Sequence, residues 1–275
     1  MTLDASDAGR LQIWQIHLFV CPYPHPAMRL AHPIDLAPLQ VDVFTLAPHA
    51  LAAAVLQAKE GKLLDANERG RHARLLKPSD QHVYLASHVM LRHVLGAHLG
   101  VAPSALRFAQ GPWGRPVLSY PMQDADQGVD FNLSHTSGLC ACAITRGTRV
   151  GIDVEKIDAS FHTLFDSPDV LALPERDALH QLPADARPRA FFHYWTLKEA
   201  CTKAVGKGLL MSPADVPFSL AGDRFTLNCT LGGLPAKDWH VETRVVETDW
   251  VMSLAFRKGR RATAITWHEW RPDWA

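Results

Sequence analysis

Apolar and polar residues alternate with a period of two in several short stretches of this chain, which marks strands with one buried and one polar face. The clearest is Val150 to Lys156, where Val150, Ile152 and Val154 interleave with Gly151, Asp153 and Glu155. Gln40 to Leu46, Asp130 to Ser137 and Leu139 to Thr145 predict three more strands. Trp239 to Val246 and Trp250 to Phe256 flank Glu247, Thr248 and Asp249 and predict a hairpin, and Ala262 to Trp267 adds a last strand. Helices are predicted from His49 to Lys59, from Ser79 as N-cap to about Gly100, around Pro174 to Gln181, and from Phe191 to Lys203. In the second of these, Leu91, Val94, Leu95 and Leu99 share a face. Residues 1–40 carry Pro22, Pro24, Pro26, Pro33 and Pro38 without sustained periodicity and read as an irregular extension.

With 275 residues the chain is long for one core, and the expected division is a half-domain over 41–149 and a second over 150–275. Lysine plus arginine number 28 and aspartate plus glutamate 28, so no net charge argues for a nucleic-acid or acidic-membrane partner, and any basic site must be local. Cys21, Cys140, Cys142, Cys201 and Cys229 are odd in number and lack C-x-x-C spacing, which favours reduced, buried thiols in a cytosolic protein. No apolar run approaches membrane-spanning length, and no basic leader precedes the short apolar run from Trp14 to Cys21. The expectation is a soluble, cytoplasmic protein.

The chemistry concentrates in a few places. Asp153 and Glu155 point the same way from one strand, and two carboxylates so placed repel unless a cation lies between them; oxygen-only ligation suits Mg²⁺ or Mn²⁺. An acidic pair on a solvated face is the other reading. On the helix that follows, Phe192, Trp195, Glu199 and Lys203 form one stripe, with Glu199 and Lys203 in the favourable i,i+4 order for either a surface ion pair or a site. Ser134 and His135 sit at a strand end, suited to donate hydrogen bonds to an anion. Arg69, Arg71 and Arg74 form a basic segment that could equally be a solvated helix face. Arg115, in the turn Gly111-Pro112-Trp113-Gly114-Arg115-Pro116, is expected to be exposed and either to cradle a phosphate or base or merely to turn the chain.

Asn132-Leu133-Ser134-His135, Gly151-Ile152-Asp153-Val154-Glu155-Lys156 and Trp195-Thr196-Leu197-Lys198-Glu199-Ala200-Cys201-Thr202-Lys203, in this order and at these separations, resemble the signature blocks of the Sfp-type 4′-phosphopantetheinyl transferases. Gly114-Arg115-Pro116 resembles that family's G-K/R-P turn. The resemblance covers about residue 40 to the C-terminus. It implies an α+β chain of two similar α/β half-domains related by a pseudo-two-fold axis, with coenzyme A between the halves; two halves in one chain that together can form the cleft lead to the expectation of a monomer. It implies transfer of the 4′-phosphopantetheine arm to a serine of an acyl, peptidyl or aryl carrier protein, releasing adenosine 3′,5′-bisphosphate. By the same resemblance Asp153, Glu155 and Glu199 match the Mg²⁺ ligands, and Ser134, His135 and Lys203 fall among the contacts to the coenzyme. Arg71, Arg74 and Arg115 fall near its nucleotide contacts. Glu199, or a water it orients, is the candidate base for the serine proton, Lys203 the partner of the departing phosphate, and His135 a phosphate contact. An Asp153→Ala change is expected to leave the fold intact, because it relieves charge repulsion.

One position departs from the family. Relatives carry a 3′-phosphate-binding arginine just before the aromatic that is Tyr84 here, and this chain has Val83. His82 and His88, with Arg71 and Arg74, are the nearest substitutes, and a histidine partner would make the preference for coenzyme A over its dephospho form shrink from pH 6 to pH 8. A non-catalytic coenzyme- or carrier-binding protein and a Mg²⁺-dependent phosphodiesterase are the alternatives; the intact Asp153, Glu155, Glu199 and Lys203 set argues against the first, and a mass gain on a carrier protein separates transfer from hydrolysis.

Overall fold

The computed structural model describes residues 39–122, 128–207, 210–222, 224–259 and 263–272; Cys21 and the predicted extension up to residue 38 lie outside them. In chain order the elements are β1 (Leu39–Leu46), α1 (Ala53–Glu60), α2 (Ala66–Arg74), α3 (Pro78–Leu99), β2 (Arg107–Gln110), β3 (Pro116–Tyr120), β4 (Val129–Thr136), β5 (Leu139–Arg146) and β6 (Val150–Lys156). After these come α4 (Leu173–His180), α5 (Arg187–Val205), β7 (Phe218–Ala221), β8 (Arg224–Leu227), β9 (Trp239–Val246), β10 (Trp250–Arg257) and β11 (Thr263–Glu269).

A repeat invisible in the sequence emerges from the pairing. In the first half a strand, a long helix and a hairpin (β1, α3, β4, β5) form an antiparallel sheet in the order β1-β5-β4. The second half repeats this with β6, α5, β9 and β10 in the order β6-β10-β9. The period of two sorts each strand between two cores. Cys140, Cys142 and Ile144 of β5 pack with α3, while Leu139, Ala141 and Ala143 meet Val150, Ile152, Met252, Leu254 and Phe256 of the other sheet. Val251 and Ala255 of β10 turn the other way, toward α5. The result is a layered α+β arrangement of helix, sheet, sheet and helix.

The expected division at 149/150 is crossed by β11, which returns to the first sheet and pairs in parallel with β1 from Leu39–Thr263 to Thr45–Glu269. The described residues accordingly cluster as one compact unit. The guanidinium of Arg244, 3.4 Å from the centre of the Trp267 ring, ties β9 to β11.

β4 and β6 belong to different sheets, yet side chains join them. Asp130 Oδ2, Asn132 Oδ1 and Ser134 Oγ on β4 accept the backbone N–H groups of Val150, Ile152 and Val154 at 2.8, 2.8 and 3.4 Å. Three acceptors two residues apart meet three donors two residues apart, and this fixes the register of the two strands.

Two buried ion clusters lock helices in place. Arg92, with no exposed surface, holds Glu68 at 2.5 Å and Asp65 at 3.2 Å, which pins α2 to α3. Lys198 and Glu175, both fully buried, pair at 2.7 Å, and Lys198 also donates to the carbonyls of Pro213 and Val216. Helix α3 begins at Pro78 with Lys77 as its N-cap rather than Ser79; Pro78 suits the first turn because its missing N–H would have had no partner there. The hydroxyl of Ser79 donates instead to Asp80. The helix expected from His49 is a 3-10 turn at Pro48–Ala50 followed by α1.

Gly151 sets the distance between β6 and α5. A Cβ there would lie inside contact distance of the Ala200 carbonyl oxygen and 2.5 Å from the Ala204 amide nitrogen, both backbone atoms of a packed helix. Gly151→Ala is therefore expected to lower stability by about 1–3 kcal/mol, read as a drop in urea midpoint at unchanged slope. An unchanged midpoint would contradict this close approach.

Candidate functional site

Because Gly151 admits α5 so closely, the polar face of β6 meets the stripe of α5. A cavity of about 250 Å³ is lined by Ser134, His135, Asp153, Glu155, Glu199 and Lys203, with Leu133 and Trp195. A larger cleft of about 660 Å³ lies among Arg189, His193, Phe225 and Arg244 and contains none of the residues singled out from the sequence. The smaller cavity holds the chemistry. It unites all three predicted carboxylates with Ser134, His135 and Lys203, whereas Arg71, Arg74 and Arg115 do not line it.

The groups in this cavity are strongly coupled. Lys203 Nζ donates to Asp153 Oδ1 at 2.5 Å and to Ser134 Oγ at 3.1 Å, so its ion pair is with Asp153 on β6 and not with Glu199 one turn away. Ser134 Oγ donates to the same Asp153 oxygen at 2.8 Å, leaving Asp153 Oδ2 buried without a hydrogen bond. Glu155 accepts from Thr136 Oγ1 at 3.1 Å. Burial and the Asp153 charge push both Glu155 and Glu199 up to about 7. Burial works to lower Lys203, but Asp153 and Glu199 outweigh it and hold the ammonium charged. Asp153 is thus the counterion of a half-buried lysine. Its replacement by alanine would strand that charge, which corrects the expectation that Asp153→Ala leaves the fold undisturbed.

Among the described residues, no three acidic, histidine or cysteine side chains already stand in metal-holding geometry. The donor chemistry nevertheless fits a hard divalent cation. Three oxygen donors are crowded until two resist ionisation, and one buried carboxylate oxygen has no partner. Mg²⁺ or Mn²⁺ would be held by Asp153, Glu155 and Glu199.

The basic groups divide by role. Arg115 is not the exposed group expected from its turn but only 9% exposed. It donates to Asp130 at 2.6 Å and to the carbonyls of Phe131, Val150 and Lys203, fastening the β2–β3 hairpin to β4, β6 and the end of α5. Its guanidinium is committed to the fold. Arg71 and Arg74 project from α2 without an ion pair among the described residues, and Arg71 acts electrostatically on both Tyr84 and His88. The histidines offered as phosphate partners are engaged elsewhere. His82 Nε2 lies 2.8 Å from the Pro48 carbonyl oxygen and donates to it, and His88 stacks on Tyr84 with Nδ1 2.9 Å from the Tyr84 carbonyl oxygen. Burial pushes His88 down to about 3, so it is neutral from pH 6 to pH 8 and lends no charge to a phosphate. His135, at the open rim of the cavity, is pushed down to about 4 by desolvation and the Lys203 ammonium.

Sequence reading gave no role to Asp130, Asn132 or Thr136, although every second residue of β4 being polar and able to accept a hydrogen bond was the available signal. It also assigned nothing to Lys198, which lies inside a signature block and serves the fold through Glu175. The thiols of Cys140, Cys142 and Cys201 are buried and pushed up by desolvation, while Cys229 is half-buried.

His88 and His193 are lowered to about 3 and 4, chiefly by burial, whereas an unfolded chain has histidines near 6.5. Above pH 6.5 both states are neutral at these sites. As pH falls below 6.5 the unfolded chain takes up protons that the folded one refuses, so stability declines, down to about pH 4 for His193 and about pH 3 for His88. His88→Asn, which keeps a donor for the Tyr84 carbonyl, is expected to make this decline shallower in urea midpoints measured from pH 7 to pH 4.5. An identical slope would show that His88 takes up its proton in the folded state.

Two family models and several curated relatives match this chain. The family model described as 4′-phosphopantetheinyl transferase superfamily matches residues 149–255, and the one described as 4′-phosphopantetheinyl transferase, N-terminal, matches 55–146. The 4′-phosphopantetheinyl transferase HetI of Nostoc sp. is 33% identical over 146 residues, 53% of this chain and 61% of its own length. A phosphopantetheinyl transferase of Thraustochytrium sp. is 29% identical over 194 residues, 66% of this chain and 62% of its own. The 4′-phosphopantetheinyl transferase of Bacillus subtilis is 26% identical over 146 residues, 53% of this chain and 62% of its own. The chain therefore spans about three fifths of the length of these relatives. With both 4′-phosphopantetheinyl transferase models matched in succession, over 55–146 and 149–255, the chain belongs to the 4′-phosphopantetheinyl transferase superfamily.

Proposed function

We propose that this protein transfers the 4′-phosphopantetheine arm of coenzyme A to a serine of an apo acyl, peptidyl or aryl carrier protein, with Mg²⁺, or Mn²⁺ in its place. The observation that carries the reading is the convergence of Asp153, Glu155 and Glu199 with Lys203 and His135 on one cavity. In the reaction the serine oxygen forms a bond to the pantetheine-side phosphorus of the pyrophosphate. The phosphoanhydride bond breaks, and adenosine 3′,5′-bisphosphate leaves with the electron pair. When bound, the divalent cation supplies charge neutralisation for the pyrophosphate oxygens.

The chain's own groups supply the rest. Glu199, on α5 beside the other two carboxylates, or a water it orients, is placed to accept the serine proton. Lys203 remains cationic and can follow charge onto the departing phosphate, and His135 at the rim offers a ring N–H to a phosphate oxygen. Arg71 and Arg74, free of ion pairs among the described residues, are the candidates for the nucleotide's 3′-phosphate. We further place the protein in the cytoplasm as a monomer, a reading supported by buried free thiols and by both halves residing in one chain. Among the described residues no helix is long and apolar enough to cross a membrane.

Intact-mass spectrometry of apo carrier proteins incubated with coenzyme A, Mg²⁺ and this protein should show the gain of one phosphopantetheine group. Asp153→Asn, whose amide oxygen can still accept from Ser134 and Lys203 although it no longer offsets the ammonium charge, should abolish that gain, with its melting profile checking that it is folded. Cleavage of coenzyme A with no carrier modified would instead support the hydrolase reading. For the donor, a charge-assisted bond to phosphate is worth about 1.5–3 kcal/mol. Arg71→Ala should therefore erode the preference for coenzyme A over dephospho-coenzyme A about tenfold or more. The wild-type preference should be the same at pH 6 and pH 8; one that shrinks with rising pH would return the role to a histidine.

A further inference from the structure

The face of β4 toward the cavity does more than join two sheets. Ser134 and Thr136, two residues apart, each engage one oxygen of a carboxylate on β6, Asp153 and Glu155, also two residues apart. On Asp153 the Oδ1 atom carries both the Ser134 hydroxyl and the Lys203 ammonium, and Oδ2 carries nothing. On Glu155 the Oε2 atom carries the Thr136 hydroxyl, and no other hydrogen bond to this side chain is present among the described residues. Each carboxylate is thereby left with one oxygen free of hydrogen bonds among the described residues, while the other is held in place by its donor.

We infer that Thr136 is a specificity-determining positioning residue: by holding one oxygen of Glu155 it restricts that side chain to single-oxygen ligation and so selects Mg²⁺ over Ca²⁺. This rests on the reading of Asp153, Glu155 and Glu199 as cation ligands. The selection follows from the preferences of the ions. Mg²⁺ requires a compact octahedron that single carboxylate oxygens fill well, whereas Ca²⁺ is larger, takes more oxygens and gains most from carboxylates bound through both. A Glu155 free to rotate and present both oxygens suits Ca²⁺; one tethered at Oε2 does not. The hydroxyl of Thr136 also steadies the carboxylate before any ion arrives, as groups hydrogen-bonded to metal ligands do. Because register is fixed by Asp130, Asn132 and Ser134 on the same strand, the hydroxyl is delivered by a rigid element.

The test is calorimetric titration of the full chain with MgCl₂ and separately with CaCl₂, with Mn²⁺ paramagnetic resonance as a second measure of occupancy. Thr136→Val keeps the shape and removes the hydroxyl; Thr136→Ser keeps the hydroxyl. In Thr136→Val the ratio of Mg²⁺ to Ca²⁺ affinity should fall about tenfold or more, with weaker Mn²⁺ binding, while Thr136→Ser should retain the wild-type ratio. The folded state of each variant is checked by its melting profile, and if Thr136→Val does not fold, Thr136→Ala takes its place with the same expectation. Equal ratios in the wild type and the folded variant lacking the hydroxyl would overturn the inference, as would a ratio in Thr136→Ser that falls as far as in that variant. If the wild type binds neither Mg²⁺ nor Mn²⁺ with or without coenzyme A, the cation reading of the site fails first, and the inference with it.

Discussion

The arrangement depends on a set of hydrogen bonds that belongs to no sheet. Asp130, Asn132 and Ser134 of β4 accept backbone N–H groups of β6 that would otherwise be edge donors facing protein. An unpaired buried N–H costs as much as a lost hydrogen bond, so the side chains are held to their donors and the strands cannot slip. A shift of one residue would turn every side chain to the wrong face. With the register fixed, Ser134 meets Asp153 and Thr136 meets Glu155.

From the other side, α5 can bring Glu199 and Lys203 to these carboxylates only because Gly151 has no side chain. The ion pairs of Lys198 with Glu175 and of Arg92 with Glu68 and Asp65 stand behind the helices, and Arg115 fastens the hairpin to the same corner. The site itself holds opposing charges in balance. Lys203 offsets one carboxylate through Asp153, which leaves Glu155 and Glu199 partly protonated near neutrality. A divalent cation would complete the charge balance and draw those protons off.

Much of this was legible in the chain because period and spacing survive into structure. Alternation placed Asp153 and Glu155 on one face of β6, and a helical stripe placed Glu199 and Lys203 on one face of α5. What the sequence does not display is pairing between distant elements. Nothing local tells that Arg115 is buried against Val150, that Lys203 chooses Asp153 over Glu199, or that β11 crosses back to β1. Each is decided by which tertiary partner outcompetes water or a sequence neighbour. The twofold repetition of strand, helix and hairpin was hidden for the same reason: topology repeats while side chains differ. His82 and His88 show the limit of helix position as a guide, since their rings turn to backbone carbonyls rather than outward.

The proposed reaction requires one divalent cation among Asp153, Glu155 and Glu199 where the pyrophosphate is cleaved. A crystal structure with coenzyme A and Mn²⁺, read in its anomalous difference map, tests it most directly. A single strong peak is expected in the cavity, ligated by Asp153 Oδ2, one oxygen of Glu155, Glu199 and the pyrophosphate, with Thr136 still on Glu155. A peak outside this cavity, or a pyrophosphate held there by Lys203 and His135 without a cation on the carboxylates, would contradict it.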